Sequence, residues 1–458
     1  MKKTISRVIA MLLCLAMVFS FAACKKEKTG KVDVDDLKAV DLKGREIVIT
    51  SWGTSVNILA DSPDATMQTY YARMQEVEKL YNCKFVFKKI AAGEILPGFQ
   101  AGEMGGATIG DIVQMREAWV QTCYKDNNLL DLSKYFDADM PQFNRYSVNT
   151  FKEESGSFYS FAVRADNQSN IIYFNKDMFE EKGVDIDALY KDVKDKKWTV
   201  DKFLEIAEKV ATIKDGTYET YGAYRIGAGD ALQAWHATFG SNFTVKNEEG
   251  KFVSGLKSAE TKALLEFVKR VEDCDFIREF RSGDNWETES KLFTAGTIGM
   301  AFGQENSHLS KLKSSLTFEF GVLPFPLAKE GDDYYATIMT YNHLVMPKSL
   351  DKDPTTAKAI ADMYTYIYQP TAENMDAQYL DTYEMNTYDE ESVENLLTVA
   401  FAENYYIPIH HKLGMVNLYN STLKPSLGNY LNGQITYDAF IAATDSAWTE
   451  KINEYFGQ

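Results

Sequence analysis

The spacing of apolar and polar positions changes several times along the chain, and each change marks an expected element. Glu46-Ile47-Val48-Ile49-Thr50 is a short β-branched run. Met67, Tyr70, Tyr71, Met74, Val77 and Tyr81 follow at helical spacing, and Lys84-Phe85-Val86-Phe87 is again strand-like. A helix that joins two strands in this way makes them parallel, so the pattern predicts an α/β arrangement with helices covering the sheet. Further strand-like runs lie at Asp111 to Met115 and at Asn170 to Phe174. In the second half, Thr199 is placed to cap a helix with Phe203, Leu204, Ala207, Val210 and Ala211 on its apolar face. Ser258 is placed to cap another, with Ala263, Leu264, Phe267, Val268 and Val271. Strand-like runs return at Thr297 to Phe302, Phe318 to Leu323 and His343 to Met346, and from Thr355 the pattern is mainly helical. No internal repeat or Pro-rich linker divides the chain into sequential domains, so its two lobes are expected to be interwoven.

The first residues break this alternation. Lys2, Lys3 and Arg7 precede an apolar stretch from Val8 to Phe19, which is short for a membrane span and has the order of a secretion signal. Phe21-Ala22-Ala23-Cys24 is similar to a lipobox, with Phe21 where Leu is usual. Residues 1–23 are expected to be removed and Cys24 to be lipidated, with 24–42 as a flexible tether. The chain carries 49 Lys and Arg against 66 Asp and Glu, a net charge of −17 that argues against nucleic-acid binding. Loss of residues 1–23 would remove three positive charges and leave 46 against 66, or −20. Cys83, Cys123 and Cys274 encode neither a disulfide framework nor a zinc site by their spacing.

Six segments in order carry a family resemblance. Gly44 to Gly53, Ala101 to Val113, Gly156 to Tyr159 with Tyr173 to Phe179, Trp198-Thr199, Phe293 to Met300 and Phe320 to Pro326 together resemble extracellular solute-binding proteins of ABC importers, the class that includes maltose-binding protein. Gly110 stands where that family usually has Pro, and Trp198-Thr199 reverses its usual Thr-Trp. The resemblance implies a two-lobe periplasmic-binding-protein-like fold of type II, each lobe a mainly parallel sheet flanked by helices. Chain crossings are expected near Tyr173, Val322 and residues 370–380. Lobe 1 is then 43–172 with 322–376, and lobe 2 is 173–321 with 377–458. It also implies a ligand in the interlobe cleft, delivery to the permease subunits of a transporter, and a monomer attached to the membrane by its lipid alone.

Ligands of parallel α/β sheets sit beyond the carboxyl ends of the strands, which selects the candidate residues. These are Trp52, Asn57, Arg116, Glu117 and Trp119 in the first lobe, and in the second Trp235 and His236, in a Gly-bounded stretch expected to be irregular, with Gln304, Glu305 and Asn306. Asp166, Asn167, Trp286 and Tyr341 join them. Aromatic faces cover the C–H face of a sugar, while carboxylates, amides and guanidinium groups bond its hydroxyls, so this mixture points to a carbohydrate. A peptide, amino-acid derivative or polyamine is the alternative within the same fold, and a secreted glycosidase the alternative outside it. Gly227-Ala228-Gly229 lacks the third glycine of a dinucleotide loop, and no P-loop or zinc-protease motif is present. His410-His411 lacks a supporting ligand set, so neither metal nor cofactor is expected.

Overall fold

Strand β1 (Arg45–Ser51) and strand β2 (Cys83–Lys89) pair in parallel over seven positions, from Arg45 against Cys83 to Ser51 against Lys89. Helix α1 (Ala65–Tyr81) joins them. The Asp64 side chain accepts the Met67 N–H to start the helix. Asn82, in the left-handed region, stops it, its N–H bonding to the Glu78 carbonyl. Tyr70, Met74, Val77 and Tyr81 form its buried stripe, each burial contributing roughly 1.5–3 kcal/mol. The strand-helix-strand unit expected from the pattern is therefore present. The structure is a computed structural model, and it describes residues 30–53, 56–62, 64–163, 170–225, 230–285, 287–304, 309, 312–337, 342–400, 405–406, 415 and 418–457.

Helix α2 (Ala92–Gly105) leads into β3 (Ile112–Arg116), which pairs parallel with β1 on its other side. Gly110 lies so close to β1 that a Cβ there would come within 2.7 Å of Thr50 Oγ1 and 3.0 Å of the Val48 carbonyl. That crowding accounts for glycine at this position. Helix α3 (Glu117–Lys125) follows β3 at once.

The second sheet is built around β4 (Asn170–Asn175). Helix α4 (Val200–Val210) is capped by Thr199, as expected, and helix α6 (Ala259–Asp273) by Ser258. Ala263 of α6 is exposed, however, and Leu265 takes the buried place. Between them run β5 (Ala223–Tyr224) and helix α5 (Asp230–Phe239). Strands β6 (Ile277–Arg278), β7 (Met300–Gln304) and β8 (Phe320–Pro324), with helix α7 (Thr288–Thr294), complete this layer. β6 pairs parallel with β5, and a parallel bridge from Tyr221 to Ile298 carries β5 onto β7. β4 runs antiparallel to both β7 and β8. The order is β6-β5-β7-β4-β8, with β4 alone reversed.

The chain then returns to the first sheet as β9 (Asn342–Val345), antiparallel to β3 with Asn342 opposite Arg116. Helix α8 (Pro354–Ile367) packs on that lobe, while α9 (Met375–Asn386) and α10 (Glu390–Ala400) pack on the other. The last helix, α11 (Tyr437–Phe456), also belongs to the second lobe's core through Phe440, Trp448 and Ile452.

Packing corrects the expected boundaries in three places. Tyr173 and Val322 are opposite each other inside the second sheet, where all five residues of β8 are buried, so neither is a crossing. The first crossing lies between Val163 and Asn170, and residues 322–337 belong with lobe 2. Phe325 packs in that lobe's core, and Leu327 is bridged to Thr199. Trp198 holds this exit, its indole N–H donating to the Pro324 carbonyl at 2.9 Å. The crossing expected at 370–380 is at 369–374, where Arg73 donates to the carbonyls of Ile367 at 3.2 Å, Pro370 at 3.0 Å, and Gln369. Thirdly, the expected tether is docked over most of its length. Val32, Val34, Leu37, Val40 and Leu42 pack against the first lobe, and the Val32 N–H bonds to Gln369 Oε1 at 2.8 Å. The spaced apolar residues explain the docking, which the segment's charge conceals. Residues 1–29, with the expected signal and Cys24, lie outside the described residues.

Candidate functional site

The carboxyl ends of β1 and β3 bring together three of the expected residues. Trp52 is the first residue beyond β1, Arg116 ends β3, and Trp119 lies in the first turn of α3. The two indoles meet edge-on, with centroids 5.4 Å apart and planes at 82°. The Arg116 guanidinium lies 5.7 Å from the Trp52 ring and 5.1 Å from that of Trp119. Both indoles are half-buried on the core of Ile95, Phe99, Val113 and Val120, while Arg116 is exposed. The result is a fixed aromatic corner with a cation at its open side. Glu117, 2% exposed, occupies the first turn of α3, where the unpaired N–H groups favour an anion. Asn57 is half-buried in the segment after Trp52.

Behind this corner His343 of β9 is fully buried, with Nδ1 3.1 Å from Ser160 Oγ. Burial holds its imidazole down to about 3, so it is neutral at ordinary pH.

In the second lobe the same end of the sheet collects Tyr224, Arg278 and Gln304, the last residues of β5, β6 and β7. Asn170, the first residue of the reversed β4, stands opposite Gln304. β4 thus begins at this edge, after the chain leaves the first lobe beyond Val163. Asp284 ties its outer part together. It pairs with Arg278 and accepts bonds from the Arg281 N–H at 2.7 Å and the Tyr224 hydroxyl at 3.0 Å. Chiefly through Arg278, these partners hold its carboxyl down to about 2. Glu289, in the first turn of α7, accepts the Phe302 N–H at 2.7 Å. Desolvation raises it to about 7 despite that bond.

Two candidates are displaced from the cleft by secondary structure. The segment around Trp235 and His236 is helix α5, not the irregular stretch expected between its glycines. Trp235 is fully buried among Phe203, Phe267, Phe302 and Phe325, with centroids 4.7 to 5.8 Å away, and has no face left for a ligand. His236 is equally buried. Its Nδ1–H donates to the Ser241 carbonyl at 2.9 Å, and burial holds it down to about 4. Both are packing residues. The backbone of Gln304 is at the expected edge, while Asp166, Asn167, Trp286, Glu305, Asn306 and Tyr341 lie outside the described residues. The Asp284 cluster leaves no trace in the sequence pattern, because strands of two residues have no periodicity.

The sequence profile of the family described as bacterial extracellular solute-binding protein matches residues 72–383. The chain belongs to that family. Solved structures with the same fold include the cyclic alpha-maltosyl-1,6-maltose binding protein of Arthrobacter globiformis, at 14% identity and a TM-score of 0.62, with 89% of this chain and 99% of that one covered. An ABC transporter associated binding protein of B. animalis subsp. lactis Bl-04, in complex with beta-1,6-galactobiose, is 16% identical with a TM-score of 0.61 over 90% and 97%. The GacH receptor of Streptomyces glaucescens, solved unliganded and with acarbose, is 17% identical with a TM-score of 0.60 over 90% and 99%. No curated protein matches the sequence. The expected fold class, two α/β lobes of the solute-binding type, is the one observed. Among the described residues no helix is long and apolar enough to cross a membrane, and no group of three His, Cys, Asp or Glu is placed to hold a metal ion.

Proposed function

We propose that this chain captures a carbohydrate in the cleft between its lobes and delivers it to the permease subunits of an ABC importer. The observation that carries this reading is the Trp52–Arg116–Trp119 corner at the carboxyl ends of β1 and β3. An indole covers the apolar face of a pyranose, and a guanidinium beside it bonds hydroxyls in pairs. The sugar-binding proteins of similar fold support the ligand class. Arg116 disfavours a polyamine, because a cation already occupies the open side of both rings. A glycosidase would need two carboxylates flanking the scissile bond. Among the described residues this corner presents one, Glu117, and buries it.

A sugar touching both lobes stabilises their closed arrangement, and the permease recognises that arrangement. In this reading the mature chain begins at Cys24, whose lipid holds it to the outer face of the cytoplasmic membrane, and it works as a monomer. Cys24→Ala should then move the protein from the membrane fraction into the medium. Retention after a salt wash would refute the anchor. For the ligand, thermal shift against saccharides, short peptides and spermidine is the test. A cognate sugar should raise the melting temperature as its concentration passes Kd. A response to peptides or spermidine with none to sugars would overturn the assignment.

A further inference from the structure

We infer that Phe280 is the aromatic platform of the second lobe, stacking on a sugar unit of an oligosaccharide; this rests on the carbohydrate reading above. Phe280 lies two residues beyond β6, whose carboxyl end is on the same edge as those of β5 and β7. That edge carries the entry of β4 from the first lobe, so it looks onto the cleft. At 60% exposure Phe280 is the most exposed aromatic residue among those described. Its ring contributes nothing to the core.

Its loop is nevertheless fixed from both sides. Arg278 is buried and paired with Asp284, which also holds the Arg281 N–H and the Tyr224 hydroxyl. The Arg281 guanidinium donates to the Tyr221 hydroxyl at 2.9 Å. Such anchoring prevents the ring from folding back onto the sheet, so its exposure is built into the loop. Glu279 and Arg281 flank it, 3.4 Å apart and both about half-exposed or more, and can bond hydroxyls beside a stacked ring. The combination of aromatic face and guanidinium repeats that of Trp52 and Arg116 in the other lobe.

Position then specifies ligand length. β6 is the edge strand, two places from β7, and strands lie about 4.8 Å apart, so Phe280 is displaced by roughly 10 Å from the strand that ends at Gln304. A single sugar held near β7 would not reach it, whereas an oligosaccharide would.

The test is isothermal titration of the wild type, Phe280→Ala, Phe280→Trp and Trp52→Ala with maltotriose, mannotriose, β-1,6-galactobiose and their component monosaccharides. Phe280→Ala should weaken the best oligosaccharide by roughly ten- to a hundredfold, leave any monosaccharide within about twofold, and melt like the wild type. Phe280→Trp should restore the affinity. Wild-type affinity in Phe280→Ala alongside a loss in Trp52→Ala would overturn this inference and leave the carbohydrate reading standing. Binding of monosaccharides alone by the wild type would also overturn it. A wild type that binds no sugar in the series would remove the carbohydrate reading and this inference together.

Discussion

Trp52 and Trp235 are alike in sequence terms, each a tryptophan among polar and small residues in its lobe, and the fold uses them oppositely. Trp52 sits beyond a strand end, half-buried, with one edge toward Trp119 and a cation beside it. Trp235 faces inward from a helix and is surrounded by four phenylalanine rings. The difference shows that the element carrying a large aromatic decides whether it can meet a ligand. A strand end leaves part of a ring uncovered, while the inner face of a helix leaves none.

Trp235→Ala tests this contrast most severely. It should cost about 3–5 kcal/mol of folding stability, read by urea denaturation, because the five-ring cluster cannot collapse around the loss. Unchanged stability would mean that the cluster is not the core of lobe 2. Acid comes next, since each lobe holds a buried neutral histidine, His343 in one and His236 in the other. Both native values are depressed below the unfolded 6.5, so the unfolded chain binds these protons first. Stability should therefore fall as pH drops below about 6.5, by up to roughly 1.4 kcal/mol per unit for each histidine, until about pH 4 for His236 and pH 3 for His343. Glu289 acts in the opposite sense between its native value of about 7 and its ordinary 4.5, because there the folded chain holds the extra proton. Glu289→Gln should make the acid loss steeper in that window. Melting temperatures measured from pH 7.5 to 4 would reveal either slope.

Trp52→Ala should weaken sugar binding by roughly 1–3 kcal/mol, with a smaller effect on melting, as titration and calorimetry would show. Destabilisation with unchanged affinity would place Trp52 with Trp235. The smallest effect is expected from Tyr455→Phe. Tyr455 of α11 accepts a bond from the Gln121 amide at 2.7 Å and lies 3.3 Å beneath the Lys125 ammonium, both on α3 of the other lobe. Losing the hydroxyl should change stability by about 0.5–1.5 kcal/mol and keep the cation–π contact. Tyr455→Ala removes both, and an altered small-angle scattering radius in that variant alone would show that the ring links the lobes.

Long periodic segments were legible in the sequence. Helices α1, α4 and α6 appeared, the last two with their caps, and β1, β2 and β3 with their parallel order. The corner at Trp52, Arg116 and Trp119 followed from their places after strand ends. Three features were hidden for separate physical reasons. The family resemblance implies a crossing at β8, and an all-buried strand has no alternation in sequence to show which sheet it joins. Around Trp235 the nearby glycines suggest turns, whereas a ten-residue helix runs through the segment. Strands β5 and β6, of two residues each, are defined by pairing partners distant in sequence. The edge presenting Phe280 was accordingly invisible.

The docking of the N-terminal segment limits how the protein can be presented at a surface. Gly30 is buried with φ of +73°, where a Cβ would come within 2.7 Å of Pro141 and 2.8 Å of Gln142 Oε1, so the chain is pinned at this residue. Pro370, in the crossing between the lobes, lies against the same spot. With a lipid on Cys24, six peptide steps remain before the pin, a leash of about 20 Å at full extension. Under the proposed anchoring, a leash that short would hold the hinge side of lobe 1 close to the bilayer, and the molecule would meet a transporter from a narrow range of heights and orientations.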